Sequence, residues 1–328
     1  MTAANPVISG TLPADAQPSG DPQIVPLRHW GRWVAAIVAL AAVGGVIGSL
    51  TGNANLHWDV IGNYLFQGLI FDGLKTTLWL TCAAMLLGLV LGTLLAVMRL
   101  SQNPVLYALS TLFVWLFRGT PLLVQIIFWG YAAALYKKVL IGIPFTGITF
   151  FSADTNSLLT PSVAALLALG LNEAAYASEI VRAGIQSVDA GQTEAAHSLG
   201  MRPAMTMRRI ILPQAMRVII PPMGNETINM LKMTALVSVI AAHDLISNIQ
   251  DVYGQNYQVI PMLVVASVWY LALVTLLSLP QAWLERKFGR GQASGRQSPL
   301  ARLFSTGPLA RTSPPRHSAA GPVAKDAS

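Results

Sequence analysis

The chain has few charged residues and almost no cysteine. Only 11% of its 328 residues are charged, whereas soluble domains average about 25%. Hydrophobic residues make up 53%, and the mean hydropathy is +0.54. With so little charge, water is not expected to be the protein's only solvent. The single cysteine, Cys82, excludes an intrachain disulfide and a cysteine-rich metal site.

The sequence also lacks motifs for two kinds of chemistry. It contains no phosphate-binding GxxxxGK[ST] loop, so we do not expect the chain to hydrolyse ATP or to act as an enzyme by itself. It contains no His, Cys and Asp cluster with metal-ligand spacing, and we expect no cofactor. The net charge of +7 accompanies apolar runs rather than a nucleic-acid-binding module, so membrane topology explains it better than a nucleic-acid partner.

Six apolar stretches are candidate membrane crossings, since a ~30 Å hydrocarbon core needs about 20 helical residues. They are residues 33–50, 78–98, 106–135, 162–181, 218–242 and 259–283. The third is interrupted at Arg118–Pro121, and the fifth is polar enough to be bent or partly re-entrant. Gly88-x3-Gly92 in the second either permits close helix packing or is a chance spacing.

Basic residues lie mostly in the segments that would be cytoplasmic with the N-terminus inside. The outer segments would then hold only Lys75, Lys137 and Lys138. This asymmetry supports six crossings in a bilayer with both termini cytoplasmic. We expect residues 1–27 and 289–328 to be disordered tails, the second of them basic. We interpret 33–50 as a retained transmembrane helix rather than a signal peptide.

The most specific pattern lies in a basic segment between the fourth and fifth stretches. It reads Glu194-Ala195-Ala196-x3-Gly200-x9-Ile210-x-Leu212-Pro213. Asp189 can cap a short helix, and Gln192 suits a capping box. Gly200 suits the left-handed position after the helix, and Pro203 suits the first turn of a second helix, which Pro213 would end. We therefore predict two short helices outside the membrane.

Ala195, Ala196 and Leu199 are spaced to share a small-residue face on the first of these helices. Small side chains let another backbone approach closely, and Glu194 offers a charge to such a partner. Apolar surface outside the membrane usually marks a docking site. The alternative is an ordinary surface helix that links two spans.

The full spacing resembles the EAA loop of ABC-importer permeases, the membrane subunits that dock onto a cytoplasmic ATPase. Three further segments resemble the polar-amino-acid branch of that family. They are Arg118–Gln125 (RGTPLLVQ), Asn172–Arg182 (NEAAYASEIVR) and Pro221–Glu226 (PPMGNE). The resemblance covers about residues 68–287. It implies an all-α polytopic membrane protein with a MetI-like five-helix permease core, to which residues 33–50 add one N-terminal transmembrane helix.

The resemblance further implies a permease subunit of an ATP-driven importer of polar amino acids in the bacterial inner membrane. Its partners would be an ATPase that binds the ATP, a second permease (a copy or a homologue) and a periplasmic substrate-binding protein. The coupling loop, residues 184–213, would contact the ATPase through Glu194, Ala195, Ala196, Leu199, Gly200, Ile210, Leu212 and Pro213. Two departures from the family pattern, Met233 and His243–Ile246, leave the identity of the amino acid open.

Polar residues at membrane depth are costly and are therefore functional candidates. Two sets spaced at i, i+4 and i+7 each share a helix face: Asn172, Tyr176 and Glu179, and Asn225, Asn229 and Lys232. Glutamates could meet a substrate ammonium, and a basic side chain its carboxylate. The candidate translocation residues are Arg118, Gln125, Asn172, Glu173, Tyr176, Glu179, Asn225, Glu226, Asn229 and Lys232. The alternative is that they pair with one another structurally.

Two other functions would leave different features in the sequence. A secondary transporter driven by an ion gradient would have similar halves with broken helices at matching positions, and would need no coupling loop. A membrane scaffold or sensor would need no polar groups at depth, and would carry a folded domain at one end. The coupling-loop pattern favours the importer over both.

Overall fold

The structure is a computed structural model that describes residues 30–142 and 149–288. The tails predicted to be disordered, 1–27 and 289–328, lie outside the described residues. The described residues form two compact units, one that ends at His57 and one that begins at Trp58. The first contains helix α1, Trp30–Thr51, and a 3-10 turn, Ala54–Leu56. The length and hydropathy of α1 suit a membrane crossing, in agreement with the predicted extra helix.

Helices also dominate the second unit. In chain order they are α2 (Trp58–Leu65), α3 (Gly68–Leu100), α4 (Pro104–Gly119), α5 (Leu122–Gly130), α6 (Ala132–Leu135), α7 (Thr155–Leu158), α8 (Pro161–Gln186), α9 (Ala190–Ser198), α10 (Pro203–Thr206), α11 (Leu212–Met233), α12 (Leu245–Asn256) and α13 (Val259–Phe288). A π turn, Met207–Ile211, joins α10 to α11, and a 3-10 helix, Thr234–Ile240, follows α11. Strands β1 (Lys138–Gly142) and β2 (Thr149–Asp154) pair antiparallel between α6 and α7, a small addition to the predicted all-α fold.

The described helices match the predicted number of crossings. By length and composition, α1, α3, α8 and α13 can each cross a membrane alone. Two bent pairs pass the same test: α4 with α5, bent by 100°, and Pro203–Ile240 with α12, bent by 46°. Counting each pair as one span gives six. The bend between α4 and α5 falls at the predicted interruption, Arg118–Pro121, because Pro121 cannot donate a helical hydrogen bond.

Close packing of α3 against α8 is the main helix contact of the second unit. A Cβ atom added at Gly92 would lie 2.7 Å from the Ala177 Cβ and 2.9 Å from the Ala174 carbonyl oxygen. One added at Gly88 would lie 2.3 Å from the Glu173 Cγ. The Gly88-x3-Gly92 spacing is therefore a packing motif and not chance: both glycines let the α8 backbone approach.

Two apolar clusters fill the space around this pair. The first joins α3, α5, α8, α11 and the turn before α12 through Leu80, Ala84, Ile126, Ala165, Ala168, Leu169, Met230, Val237 and Ala242. The second joins the ends of α3 and α8 to the start of α11 through Ala96, Val181, Ala215 and Ile219. The many alanines keep these helices close, so α8 is enclosed at both levels.

The buried Asp244 fixes the start of α12. Its carboxylate accepts hydrogen bonds from the backbone N–H groups of Ile246 (3.0 Å) and Ser247 (3.1 Å), as a helix N-cap does. The Leu245 N–H donates to the Thr77 hydroxyl of α3 at 3.1 Å. One of the two departures from the family pattern, His243–Ile246, thus contains the cap that anchors α12 on α3.

We predict that Gly92→Ala destabilises the fold although alanine favours helices. The new methyl group would meet backbone atoms of α8, so overpacking should cost about 1–3 kcal/mol. The measurement is thermal unfolding of the purified chain in detergent. Gly68→Ala is the matched control, because nothing lies within 4 Å of a Cβ added there. Equal melting temperatures for the two variants would contradict the packing role of Gly92.

Candidate functional site

The first helix of the coupling loop begins and ends as predicted. Asp189 caps α9, with its carboxylate accepting from the Gly191 N–H at 2.7 Å. At the other end Gly200 has φ +75°. The Gly200 N–H donates to the His197 carbonyl (2.9 Å) and the Met201 N–H to the Ala196 carbonyl (3.1 Å). This is a Schellman motif, which requires the left-handed conformation that glycine adopts without strain.

The capping box is not formed. In the described part of the chain, Gln192 contributes its backbone N–H, which donates to the Asp189 carbonyl at 3.1 Å, and makes no side-chain hydrogen bond. The Asp189 carboxylate alone therefore caps α9.

The second helix starts at Pro203, as predicted, but Pro213 does not end it. The chain continues from α10 through the π turn Met207–Ile211 into α11 without a break. Proline lacks an N–H and clashes with the carbonyl four residues earlier in an α-helix. The π turn widens the helix just before Pro213, and the Leu212 N–H donates to Met207 five residues back. The predicted end of the helix was wrong, since the loop passes directly into the fifth span.

The predicted small-residue face of α9 is divided. Leu199 is 82% exposed, and Glu194 and Ala195 are exposed with it. Ala196 is only 1% exposed, because α9 packs against α10 and the π turn. Ala196 therefore does not belong to the presented surface. Among the remaining predicted coupling residues, Leu212 and Pro213 are exposed and Ile210 is half-buried.

Two of the candidate translocation residues bind the backbone at the break between α4 and α5. The Gln125 amide donates to the Phe117 and Thr120 carbonyls at 2.8 and 3.1 Å. The Asn172 amide, from α8, donates to the same Phe117 carbonyl at 2.9 Å. Both side chains are buried. They satisfy carbonyl groups that the bend leaves without helical donors, which supports a structural role at this point.

A cluster of three arginines surrounds Glu179 of α8. Arg182 donates to its carboxylate through two nitrogens, at 2.7 and 3.0 Å, and Arg99 of α3 forms a further ion pair with it. Arg118 of α4 lies 3.8 Å from the same carboxylate and stacks on the Tyr176 ring, 5.0 Å from its centroid. The structure thus brings three candidate residues together at one point.

Sequence analysis missed Arg99 as a site residue. It is separated from Glu179 by 80 positions, and no local spacing connects the two. The only local signal is a basic residue at the end of an apolar stretch, which membrane topology explains equally well.

Glu173 has a different environment. It is 2% exposed, its side chain crosses Gly88 of α3, and its Oε1 atom has no hydrogen-bond partner among the described residues. Glu226 is a second acidic side chain near it, on α11, which packs against α8. Among the described residues, no three His, Cys, Asp or Glu side chains are grouped as a metal site requires. Glu173 and Glu226 therefore form an acidic pair between α8 and α11.

The second predicted set, Asn225, Asn229 and Lys232, lies on a face of α11 that the described chain covers only in part. Asn225 and Lys232 are exposed and Asn229 is half-buried. None of the three takes part in the cluster around Glu179 in the described structure. Among the described residues, no hydrogen bond or ion pair joins this set to Asn172, Tyr176 or Glu179.

Gln281 of α13 is a second residue that the sequence did not reveal. Its amide donates to the Pro221 carbonyl at 2.9 Å, and its Oε1 would lie 1.5 Å from a Cβ added at Gly224. The glycine in the Pro221–Glu226 segment thus makes room for Gln281. Because proline has no N–H group, Pro221 and Pro222 remove two backbone hydrogen-bond donors from α11. The side-chain amide of Gln281 supplies one donor to the same part of the helix.

Comparison with known proteins agrees with this architecture. Residues 86–290 match the family model described as binding-protein-dependent transport system inner membrane component. The arginine transport system permease protein ArgU of Corynebacterium glutamicum is 47% identical over 268 residues, 81% of this chain and 83% of ArgU. The putative glutamine transport system permease protein GlnP of Rickettsia typhi is 37% identical over 219 residues, 66% of this chain and 92% of GlnP.

A solved amino acid ABC transporter, crystallised with histidines, has a similar fold. It is 35% identical with a TM-score of 0.56, and the match covers 67% of this chain and 94% of the other. These relatives confirm the predicted resemblance to amino acid importer permeases. They also favour an ABC importer over a secondary transporter, which was the alternative from sequence.

The family model covers more than half of the chain, and the ArgU match covers over four fifths of it. The matched part of the chain has the predicted MetI-like permease fold. The chain therefore belongs to the family of binding-protein-dependent transport system inner membrane components, the multi-span permease subunits of ABC importers.

Proposed function

We propose that this permease translocates a polar amino acid with a cationic side chain. The observation that carries the proposal is the buried Glu173 carboxylate, which has an unpartnered oxygen and lies near Glu226. Ionising a buried carboxyl group without a partner is costly, and a second acidic group nearby raises the cost. A substrate ammonium or guanidinium would relieve both. The 47% identity with an arginine transport permease supports the same class of substrate.

A second permease subunit would complete the path. Asn225, Asn229 and Lys232 lie on one face of α11 that the chain itself leaves exposed or half-exposed. Polar side chains are rarely left facing lipid, and usually face a helix bundle or a water-filled cavity. A copy or homologue of this subunit on that face would enclose the stripe opposite Glu226. Arg118 and Lys232 would then be the basic groups available to the substrate carboxylate.

The exposed part of the coupling loop would bind the partner ATPase. Glu194, Ala195 and Leu199 project from a helix whose ends are fixed by Asp189 and Gly200. ATP, bound by the ATPase, would drive closure of two such subunits, and the loops would convey that motion to the spans. A periplasmic binding protein would deliver the amino acid to the opposite face. In this orientation both termini of the chain would be cytoplasmic.

Reconstitution in liposomes tests the proposal as a whole. The chain would be combined with the ATPase, binding-protein and second-permease subunits encoded beside it, and challenged with cationic, neutral and acidic amino acids. We expect a cationic amino acid to stimulate ATP hydrolysis and to accumulate in the lumen. Stimulation by neutral or acidic amino acids alone would contradict the substrate class. Uptake that follows an ion gradient without ATP would contradict the importer mechanism.

We predict that Gly200→Val uncouples transport while the protein remains inserted in the membrane. Valine is strained at φ +75°, so the Schellman turn and the position of α9 should be lost. Uptake should fall to near background in the reconstituted system. Gly62→Val is the control, because a Cβ added at Gly62 meets no atom within 4 Å. Normal uptake by Gly200→Val would show that this turn is not needed for coupling.

We also predict that Glu226→Ala lowers uptake more than it lowers assembly. Loss of its carboxyl group removes one member of the acidic pair, Glu173 and Glu226, and among the described residues breaks no hydrogen bond between helices. Uptake and co-purification of the partner subunits should be measured on the same preparation. Asp72→Ala serves as the control, because it removes an exposed carboxylate that pairs with Lys75 on α3. Equal losses of uptake and assembly would indicate a structural role for Glu226.

A further inference from the structure

The contact between α3 and α8 ends in an ion pair. Gly88 and Gly92 bring the two helices together, and seven residues beyond Gly92 the Arg99 guanidinium pairs with the Glu179 carboxylate. The side chains of Arg99 and Glu179 are 16% and 21% exposed, so water screens the pair only partly. The pair lies at the end of α8 that leads into the coupling loop.

The covalent connection from this pair to the coupling helix is short. Glu179 is seven residues before the end of α8 at Gln186, and Asp189 caps α9 three residues later. Between these points Arg182 donates to Gln186 at 2.6 Å, and Val188 packs on the cluster that contains Ala96 of α3. A displacement of α9 would therefore reach Glu179 through a helix that is packed and hydrogen-bonded throughout.

From this arrangement we propose that Arg99 is a positioning residue for transport. It fastens α3 to α8 at Glu179, so that movement of the coupling loop displaces the two helices as one body. Without this link, α8 could rotate or slide against α3, and a displacement of α8 would not be passed fully to α3. The inference rests on the proposed docking of the coupling loop to the ATPase.

The cluster also explains why Arg99 can be tested without unfolding the protein. If Arg99 is removed, Glu179 keeps two hydrogen bonds from Arg182 and the nearby Arg118. The substitution therefore leaves no buried carboxylate unpaired, which would otherwise be strongly destabilising. It removes only the ion pair between α8 and α3.

The experiment compares Arg99→Gln and Arg99→Lys with the unaltered chain in the reconstituted importer. The readouts are the rate of ATP hydrolysis, the rate of amino acid uptake, and co-purification of the ATPase. The number of amino acids moved per ATP should fall about fivefold or more in Arg99→Gln, a typical size for coupling between sites. Co-purification should be unchanged, and Arg99→Lys, which keeps the charge, should restore most of the ratio.

Lys75→Gln is the matched control. It breaks an exposed ion pair on the same helix, between Lys75 and Asp72 at 2.8 Å, and should leave the ratio unchanged. An unchanged ratio in Arg99→Gln would overturn the inference. If Arg99→Gln does not assemble, Arg99→Met takes its place as a neutral variant of similar length. Failure of both to assemble would make the pair a determinant of assembly, and would equally overturn a role in the transport cycle.

Gly200→Val, measured in parallel, separates this inference from the proposed function. If Gly200→Val transports normally, the docking of the coupling loop is wrong whatever Arg99 does. If Gly200→Val uncouples transport and Arg99→Gln does not, the coupling loop keeps its proposed role, and only the proposed role of the Arg99–Glu179 pair is contradicted.

Discussion

Backbone groups inside a membrane must be hydrogen-bonded within the protein, and the broken spans of this permease depend on that constraint. The bend between α4 and α5 leaves the Phe117 and Thr120 carbonyls without helical donors. Gln125 and Asn172 supply those donors from side chains. At the second break, the buried Asp244 accepts from the first N–H groups of α12. Polar residues in the described spans therefore maintain the fold wherever a helix is interrupted.

The polar residues of α8 fall into two groups: those whose polar atoms are bonded or paired within the chain, and Glu173, which has an atom without a partner in the described structure. Asn172 and Glu179 share a face of α8, as their spacing predicted, but both are already bonded or paired within the chain. Glu173 lies one position away on the neighbouring face, and its Oε1 atom has no partner among the described residues. Spacing alone cannot separate these cases, because it gives the direction of a side chain and not what that side chain meets. An unpartnered group in a packed interior is the stronger sign of a ligand-binding role.

The sequence predicted the features that depend on a few neighbouring residues. The cap at Asp189, the left-handed turn at Gly200 and the break at Pro121 each follow from the conformational limits of one residue type. Contacts between residues far apart in the sequence had no such signal. Only the three-dimensional arrangement of the helices shows that Arg99 pairs with Glu179 and that Gln281 packs against Gly224. The predicted helix end at Pro213 failed for a related reason. Proline usually ends a helix, but one π turn before it was enough to let the helix continue.

Helix α8 connects these features, because it passes through every part of the site. It carries Asn172 at the break, Glu173 beside Gly88 and Glu179 in the arginine cluster, and it ends three residues before the cap of α9. From Glu173 to Gln186 is about 20 Å of helix at 1.5 Å per residue. A packed helix of that length transmits displacement along its axis with little loss, whereas a chain of side-chain contacts can rearrange at each step. Glu173 and the start of the coupling loop therefore lie on one packed helix, and what remains adjustable is how firmly the neighbouring helices are attached to it.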